Sequence, residues 1–210
     1  ARISGRNELL AVHLVRNAYV DVLCGETSRA EKNALEGADC ACRAGDAFEF
    51  LLGLFLAAWA QLHAGRLGEM RMTLNRWRER ADANGHRPWS LLARLEEAHL
   101  HLHGGDPEHA VVLAAAVVDE PEARDEIGQL FNHARVVLGL SLVEIGEARA
   151  ALRHLRAVRS VSRRMRRPVD YLLRAPLHLG LARCYRELGD VRLGQRHAFA
   201  ARTLSSAPSE

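Results

Sequence analysis

The segment Leu-Ala-Arg-Cys-Tyr-Arg-Glu-Leu-Gly-Asp, residues 181–190, decides the fold of this 210-residue chain. It places an apolar residue, a small residue and an aromatic residue at helical spacing, and a Gly-Asp pair follows them. Glycine commonly ends a helix, so the segment predicts the end of one helix and a turn into the next. Similar glycines cut the rest of the chain into pieces of helical length, and no stretch alternates as a β-strand would.

The turn glycine recurs at a nearly fixed period. Gly25, Gly65, Gly105, Gly146 and Gly189 are separated by 40, 40, 41 and 43 residues. A small residue stands seven positions before each of them, and small or apolar residues stand five, nine and twelve positions after. Because those last offsets step by four and three, they form one stripe on the second helix of each pair. The register predicts five stacked helical hairpins.

This pattern resembles the tetratricopeptide repeat. The resemblance is carried by segment 181–190, by Leu138-Gly139 with Leu142, Gly146 and Ala151, and by the turn 105–110. The period is longer than the usual one of about 34 residues, and Asn17, Ala57 and Glu97 replace the leading leucine of the first three repeats. The longer period resembles the arrays of large bacterial transcription regulators and peptide-sensing regulators. The resemblance implies an all-α, right-handed superhelix that binds proteins or peptides.

The predicted domain is a single helical repeat array over residues 1–210. Its repeats span about 7–43, 46–83, 88–119, 122–165 and 170–204. Pro176 falls inside the ninth predicted helix, which predicts either a kink there or a helix start near that residue.

Composition excludes several classes of protein. Hydrophobic residues make up 48% of the chain, but the longest apolar run, residues 50–60, is too short to cross a bilayer. The chain does not open with a secretory signal, and its four cysteines have neither disulfide-framework nor zinc-ribbon spacing. We therefore expect reduced, mostly buried cysteines in a cytoplasmic protein without membrane contact. The net charge of +3 does not by itself indicate a nucleic-acid partner.

A binding groove is expected on the first helix of each pair, if the geometry of the repeat family applies. Its N-terminal end would be aromatic, its middle lined by histidine and its C-terminal end basic, which suits a peptide with an apolar portion and an acidic end. The alternative is that the aromatic residues are simply core between repeats. The candidate groove residues are Tyr19, Phe55, Trp59, His63, His99, His103, Arg183 and Arg186.

Four histidines surround the third turn: His99, His101, His103 and His109. Glu96, His99 and His103 share a helix face and could in principle hold a metal. Histidines partly exposed near a helix end are the ordinary explanation, so we expect no metal and no cofactor.

A basic segment follows at residues 153–167, with seven arginines and no acidic residue. One helix face of it carries Arg156, Arg159, Arg163 and Arg167. No aromatic residue is interleaved, so direct contact with nucleic acid is not expected. Two alternatives stay open: a solvated face paired with the acidic stretch 119–126, and a surface for a protein partner.

No catalytic motif stands out in the sequence, so we expect a binding protein and not an enzyme. The leading hypothesis is a protein- or peptide-binding module, a sensor or scaffold segment of a bacterial transcription regulator. The alternatives are a small-molecule effector site in the same array and self-assembly, with a homodimer as the simplest case.

Overall fold

The computed structural model describes residues 2–120, 128–162 and 168–206. These residues form ten α-helices and no strand, which confirms the all-α prediction. The helices are α1 (Arg2–Leu23), α2 (Thr27–Ala44), α3 (Ala47–His63), α4 (Leu67–Ala83), α5 (Arg87–His103), α6 (Pro107–Asp119), α7 (Gly128–Glu144), α8 (Ala148–Ser162), α9 (Pro168–Glu187) and α10 (Val191–Ser206).

Each predicted turn glycine has the left-handed backbone that ends a helix. Gly105 has φ +85° and Gly189 has φ +84°, values that a side chain would strain. After Gly189, the N–H of Asp190 donates to the carbonyl of Tyr185 at 2.8 Å, and the same bond recurs after the other turn glycines. This bond is the Schellman closure, which satisfies carbonyls that the helix end leaves without a partner.

The small-residue stripe is buried, as the register requires. Of the residues five, nine and twelve positions after the turn glycines, all are buried except Ala198, which is half-buried. The small residues seven positions before the glycines are buried too. Gly139 shows why this position is small: a Cβ there would lie 2.6 Å from the side chain of Leu155, and a Cβ at Gly180, two residues before Ala182, would lie 2.9 Å from the same side chain. Leu155 of α8 therefore fills the space between α7 and α9.

The helices form two compact units, and the division falls within α5. In the first unit, up to Glu96, α1 to α4 pack in consecutive order and α1 also contacts α3. In the second unit, from Glu97 onward, α6 to α10 pack in consecutive order and α7 also contacts α9. Contacts between successive first helices are what stacked hairpins require.

Two details correct the sequence predictions. Pro176 does not start a helix, because α9 begins at Pro168 and continues through Pro176. The cysteines are not mostly buried: Cys40 and Cys184 are buried, whereas Cys24 and Cys42 are exposed. Among the described residues, no helix is both long enough and apolar enough to span a bilayer.

Candidate functional site on the first helices

The aromatic groove candidates lie in the first unit, and two of them are core residues. Phe55 and Trp59 are only 5% and 3% exposed. The Phe55 ring lies 5.9 Å from the rings of Trp59 and Trp77, edge-on to the latter. Tyr19 is half-buried and His63 is exposed, with its ring 5.4 Å from that of Trp59. The surface that α3 offers to a ligand here is therefore His63, with the aromatic rings behind it.

Buried acidic groups also lie on the first helices of this unit. Glu49 of α3 accepts a hydrogen bond from Arg16 of α1 at 2.8 Å, and burial raises the pKa of its carboxyl group. Glu96 of α5 is fully buried, and burial raises its pKa to about 8, against a smaller opposing effect of a hydrogen bond with Trp59. The Glu96 carboxyl group is thus neutral through most of the physiological range.

A buried histidine pair joins α5 to α7 in the second unit. The Nε2 atoms of His99 and His133 lie 2.9 Å apart, so one ring donates and the other accepts. Burial lowers the pKa of His133 to about 3, which keeps that ring neutral. Sequence reasoning found His99 but not His133, because His133 stands at none of the repeat positions used to select the groove.

An ion pair joins α7 to α9 on the same side of the second unit. The guanidinium group of Arg183 donates to both carboxylate oxygens of Glu144, with Nη2 to Oε2 at 3.0 Å. Hydrogen bonding from Arg183 lowers the pKa of Glu144, and His103 of α5 lowers it further through its charge. Burial lowers the pKa of His103, so the ion pair between Glu144 and Arg183 is the main charged contact of this surface.

Both members of the ion pair are accessible. The side chain of Arg183 is 30% exposed and that of Glu144 is 40% exposed. Arg186 follows Arg183 by three residues on α9, on the same side of the helix, and is exposed. We call His103, Glu144, Arg183 and Arg186 the polar surface of the second unit. Glu144 is the residue of this surface that sequence reasoning missed, although it stands two positions before its turn glycine, as His63 and His103 do.

The basic face is described only in part. Arg156 donates through Nε to the hydroxyl of Tyr185 at 3.0 Å, and its guanidinium carbon lies 5.4 Å from the centre of that ring. Arg156 is therefore engaged with α9. The side chain of Arg159 and the whole of Arg163 and Arg167 lie outside the described residues, as do residues 121–127 of the acidic stretch.

No protein-family model matches the chain, and no curated protein matches it significantly. The resemblance to the tetratricopeptide repeat therefore stays a prediction.

Proposed function

We propose that the chain is a peptide-binding repeat module that takes an acidic segment of a partner protein on the polar surface of its second unit. A role as the sensor or scaffold segment of a bacterial transcription regulator, which the sequence resemblance implies, is part of this proposal. The observation that carries the proposal is the two-point hydrogen bonding of Arg183 to Glu144 between neighbouring first helices.

The chemistry of this surface suits a carboxylate ligand. A guanidinium group matches a carboxylate with two parallel hydrogen bonds, and such charge-assisted bonds are the strong ones. In the free protein Glu144 supplies that carboxylate. A carboxylate of the partner would exchange with Glu144 or bind beside it, where the exposed Arg186 adds a second guanidinium group.

The test is isothermal titration with a peptide whose N-terminal half is rich in leucine and whose C-terminal half is rich in glutamate. The matched control peptide carries glutamine in place of glutamate. We expect the acidic peptide to bind and the glutamine peptide to bind at least about tenfold more weakly, the effect of one lost charge-assisted bond. Binding should also weaken at high salt, because the charges are exposed.

Two matched variants assign the binding to the polar surface. Arg186→Gln lies on the first helix of the last pair and Arg192→Gln on the second helix, and both arginines are exposed. We expect Arg186→Gln to weaken binding and Arg192→Gln to leave it unchanged. Equal binding by both variants would remove the polar surface from the proposal. Failure to bind the acidic peptide at all, with a concentration-dependent mass in light scattering, would favour self-assembly instead.

A further inference from the structure

A second group of polar side chains meets at the third turn glycine, away from the polar surface. In the first and third hairpins, the residues four before and four after the turn glycine contact each other across the turn. In the first hairpin these are Asp21 and Arg29, which form a hydrogen-bonded ion pair at 2.7 Å. In the third hairpin they are His101 and His109, and the residue after the glycine is Asp106.

The imidazole rings of His101 and His109 both lie near one carboxylate oxygen of Asp106. Asp106 accepts a hydrogen bond from the backbone N–H of His109 through Oδ1, which caps α6, while its Oδ2 is hydrogen-bonded to His101. Nδ1 of His101 lies 3.1 Å from Oδ2, and Nδ1 of His109 lies 3.7 Å from it. The two rings stack with their centres 4.1 Å apart. One ligand atom from each residue therefore lies within 4.8 Å of the other two.

These separations suit a tetrahedral metal ion. Zinc binds imidazole nitrogen and carboxylate oxygen at about 2.0–2.2 Å, so neighbouring ligand atoms lie about 3.3 Å apart. We propose that His101, Asp106 and His109 form a zinc-binding site across the turn between α5 and α6. Two imidazoles and one carboxylate favour zinc over magnesium or calcium, which prefer oxygen ligands alone.

The capping role of Asp106 does not account for the histidines. Asp190 caps α10 in the same way, accepting a hydrogen bond from the N–H of Leu193 at 3.0 Å, and the residues four before and four after its turn glycine are Tyr185 and Leu193. The proposed ligands His101, Asp106 and His109 share no residue with the possible metal-binding set that the sequence suggested, Glu96, His99 and His103.

Isothermal titration of the metal-free chain with zinc chloride tests the site, with magnesium chloride as the ion control. The variants are His101→Gln, His109→Gln and Asp106→Asn, the last of which keeps a helix-capping oxygen. His86→Gln is the matched control, because His86 is exposed and lies in the preceding turn. Circular dichroism checks that every variant keeps its helices.

We expect zinc to bind and magnesium not to bind. Replacing any one of the three proposed zinc ligands should lower the affinity for zinc by more than about tenfold. Replacing a residue that only hydrogen-bonds to a metal ligand already costs about that much. His86→Gln should bind as the wild type does. Zinc should also raise the melting temperature of the wild-type chain, because binding stabilises the native state. The proposal is overturned if the wild type does not bind zinc, or if the double variant His101→Gln, His109→Gln binds it unchanged.

Discussion

Arg183 of α9 and Glu144 of α7 form an ion pair with two hydrogen bonds between successive first helices of the second unit. Because both side chains are partly exposed, the pair lies where a ligand can reach it. It is therefore both a contact between hairpins and the proposed binding point for a partner's carboxylate.

The pair should contribute little to folding. Exposed ion pairs typically stabilise a protein by about 0–1 kcal/mol. We expect Arg183→Gln and Glu144→Gln each to lower the free energy of unfolding by less than about 1 kcal/mol in urea titrations followed by circular dichroism. A larger loss in either variant would mean that the pair has a mainly structural role. It would also disqualify that variant as a probe of binding.

Glu96 should make the first unit less stable as the pH rises. Its pKa is about 8 in the folded state and about 4.5 in the unfolded state, so the folded state holds the extra proton between those values. Unfolding free energy should therefore fall with rising pH, by up to about 1.4 kcal/mol per pH unit between them. All three tryptophans lie in the first unit, so urea unfolding followed by tryptophan fluorescence reports on this unit.

The matched variants for that pH dependence are Glu96→Gln and Glu79→Gln. Glutamine at position 96 keeps the buried side chain neutral at every pH. The free energy of unfolding of this variant should therefore vary less with pH than that of the wild type. Glu79 is exposed on α4, and its replacement should leave the dependence as it is. An unchanged slope in Glu96→Gln would show that this carboxyl group is ionised in the folded state at neutral pH.

The second unit should have the opposite pH dependence, because His133 is kept neutral by burial. Its pKa is about 3 when folded and about 6.5 when unfolded, so the unfolded state binds more protons between those values. Stability is complete above about pH 6.5 and should fall as the pH decreases towards 3, by up to about 1.4 kcal/mol per pH unit. Circular dichroism should therefore detect an acid transition that tryptophan fluorescence does not.

His133→Gln tests this assignment, with His109→Gln as the exposed control in the same unit. The His133 variant should lose stability at neutral pH because His99 loses its partner, but its stability should vary less between pH 6.5 and pH 3. If both variants keep the acid transition of the wild type, its cause lies elsewhere.

Gly53 and Gly68 are a matched pair of helical glycines. A Cβ at Gly53 would lie 2.8 Å from the backbone oxygen of Ala34, whereas nothing lies within 4 Å of a Cβ at Gly68. Gly53→Ala should lower the free energy of unfolding by about 1–3 kcal/mol, the usual cost of overpacking. Gly68→Ala should raise it by up to about 1 kcal/mol, because alanine favours helix. Equal effects in urea titration would mean that α2 and α3 do not approach so closely.

The sequence predicts the hairpins well because each one repeats the same local chemistry. Glycines with a left-handed backbone conformation mark the turns. Small and apolar residues at steps of three and four mark the buried stripe, and Leu155 of that stripe packs against Gly139. These signals are local, so a single chain displays them. Most of the predicted repeat boundaries lie within two residues of the corresponding observed helix ends.

The site was harder to predict because it depends on partners from other helices. Glu144 and His133 matter through Arg183 and His99, which are more than thirty residues away in sequence. The burial of Phe55 and Trp59 depends in turn on Trp77 of α4 and on how closely the helices pack. The residue types alone do not show whether an aromatic side chain lies in the core or on a ligand-binding surface.

The most direct test of peptide binding is one fluorescence anisotropy titration of the labelled acidic peptide with four proteins: wild type, Glu144→Gln, Arg183→Gln and Arg192→Gln. Removing the competing carboxylate in Glu144→Gln should tighten binding, whereas Arg183→Gln should weaken it by about tenfold. Arg192→Gln should match the wild type. Four superimposable curves, or tighter binding by Arg183→Gln, would contradict the proposal that Arg183 receives the carboxylate of a partner.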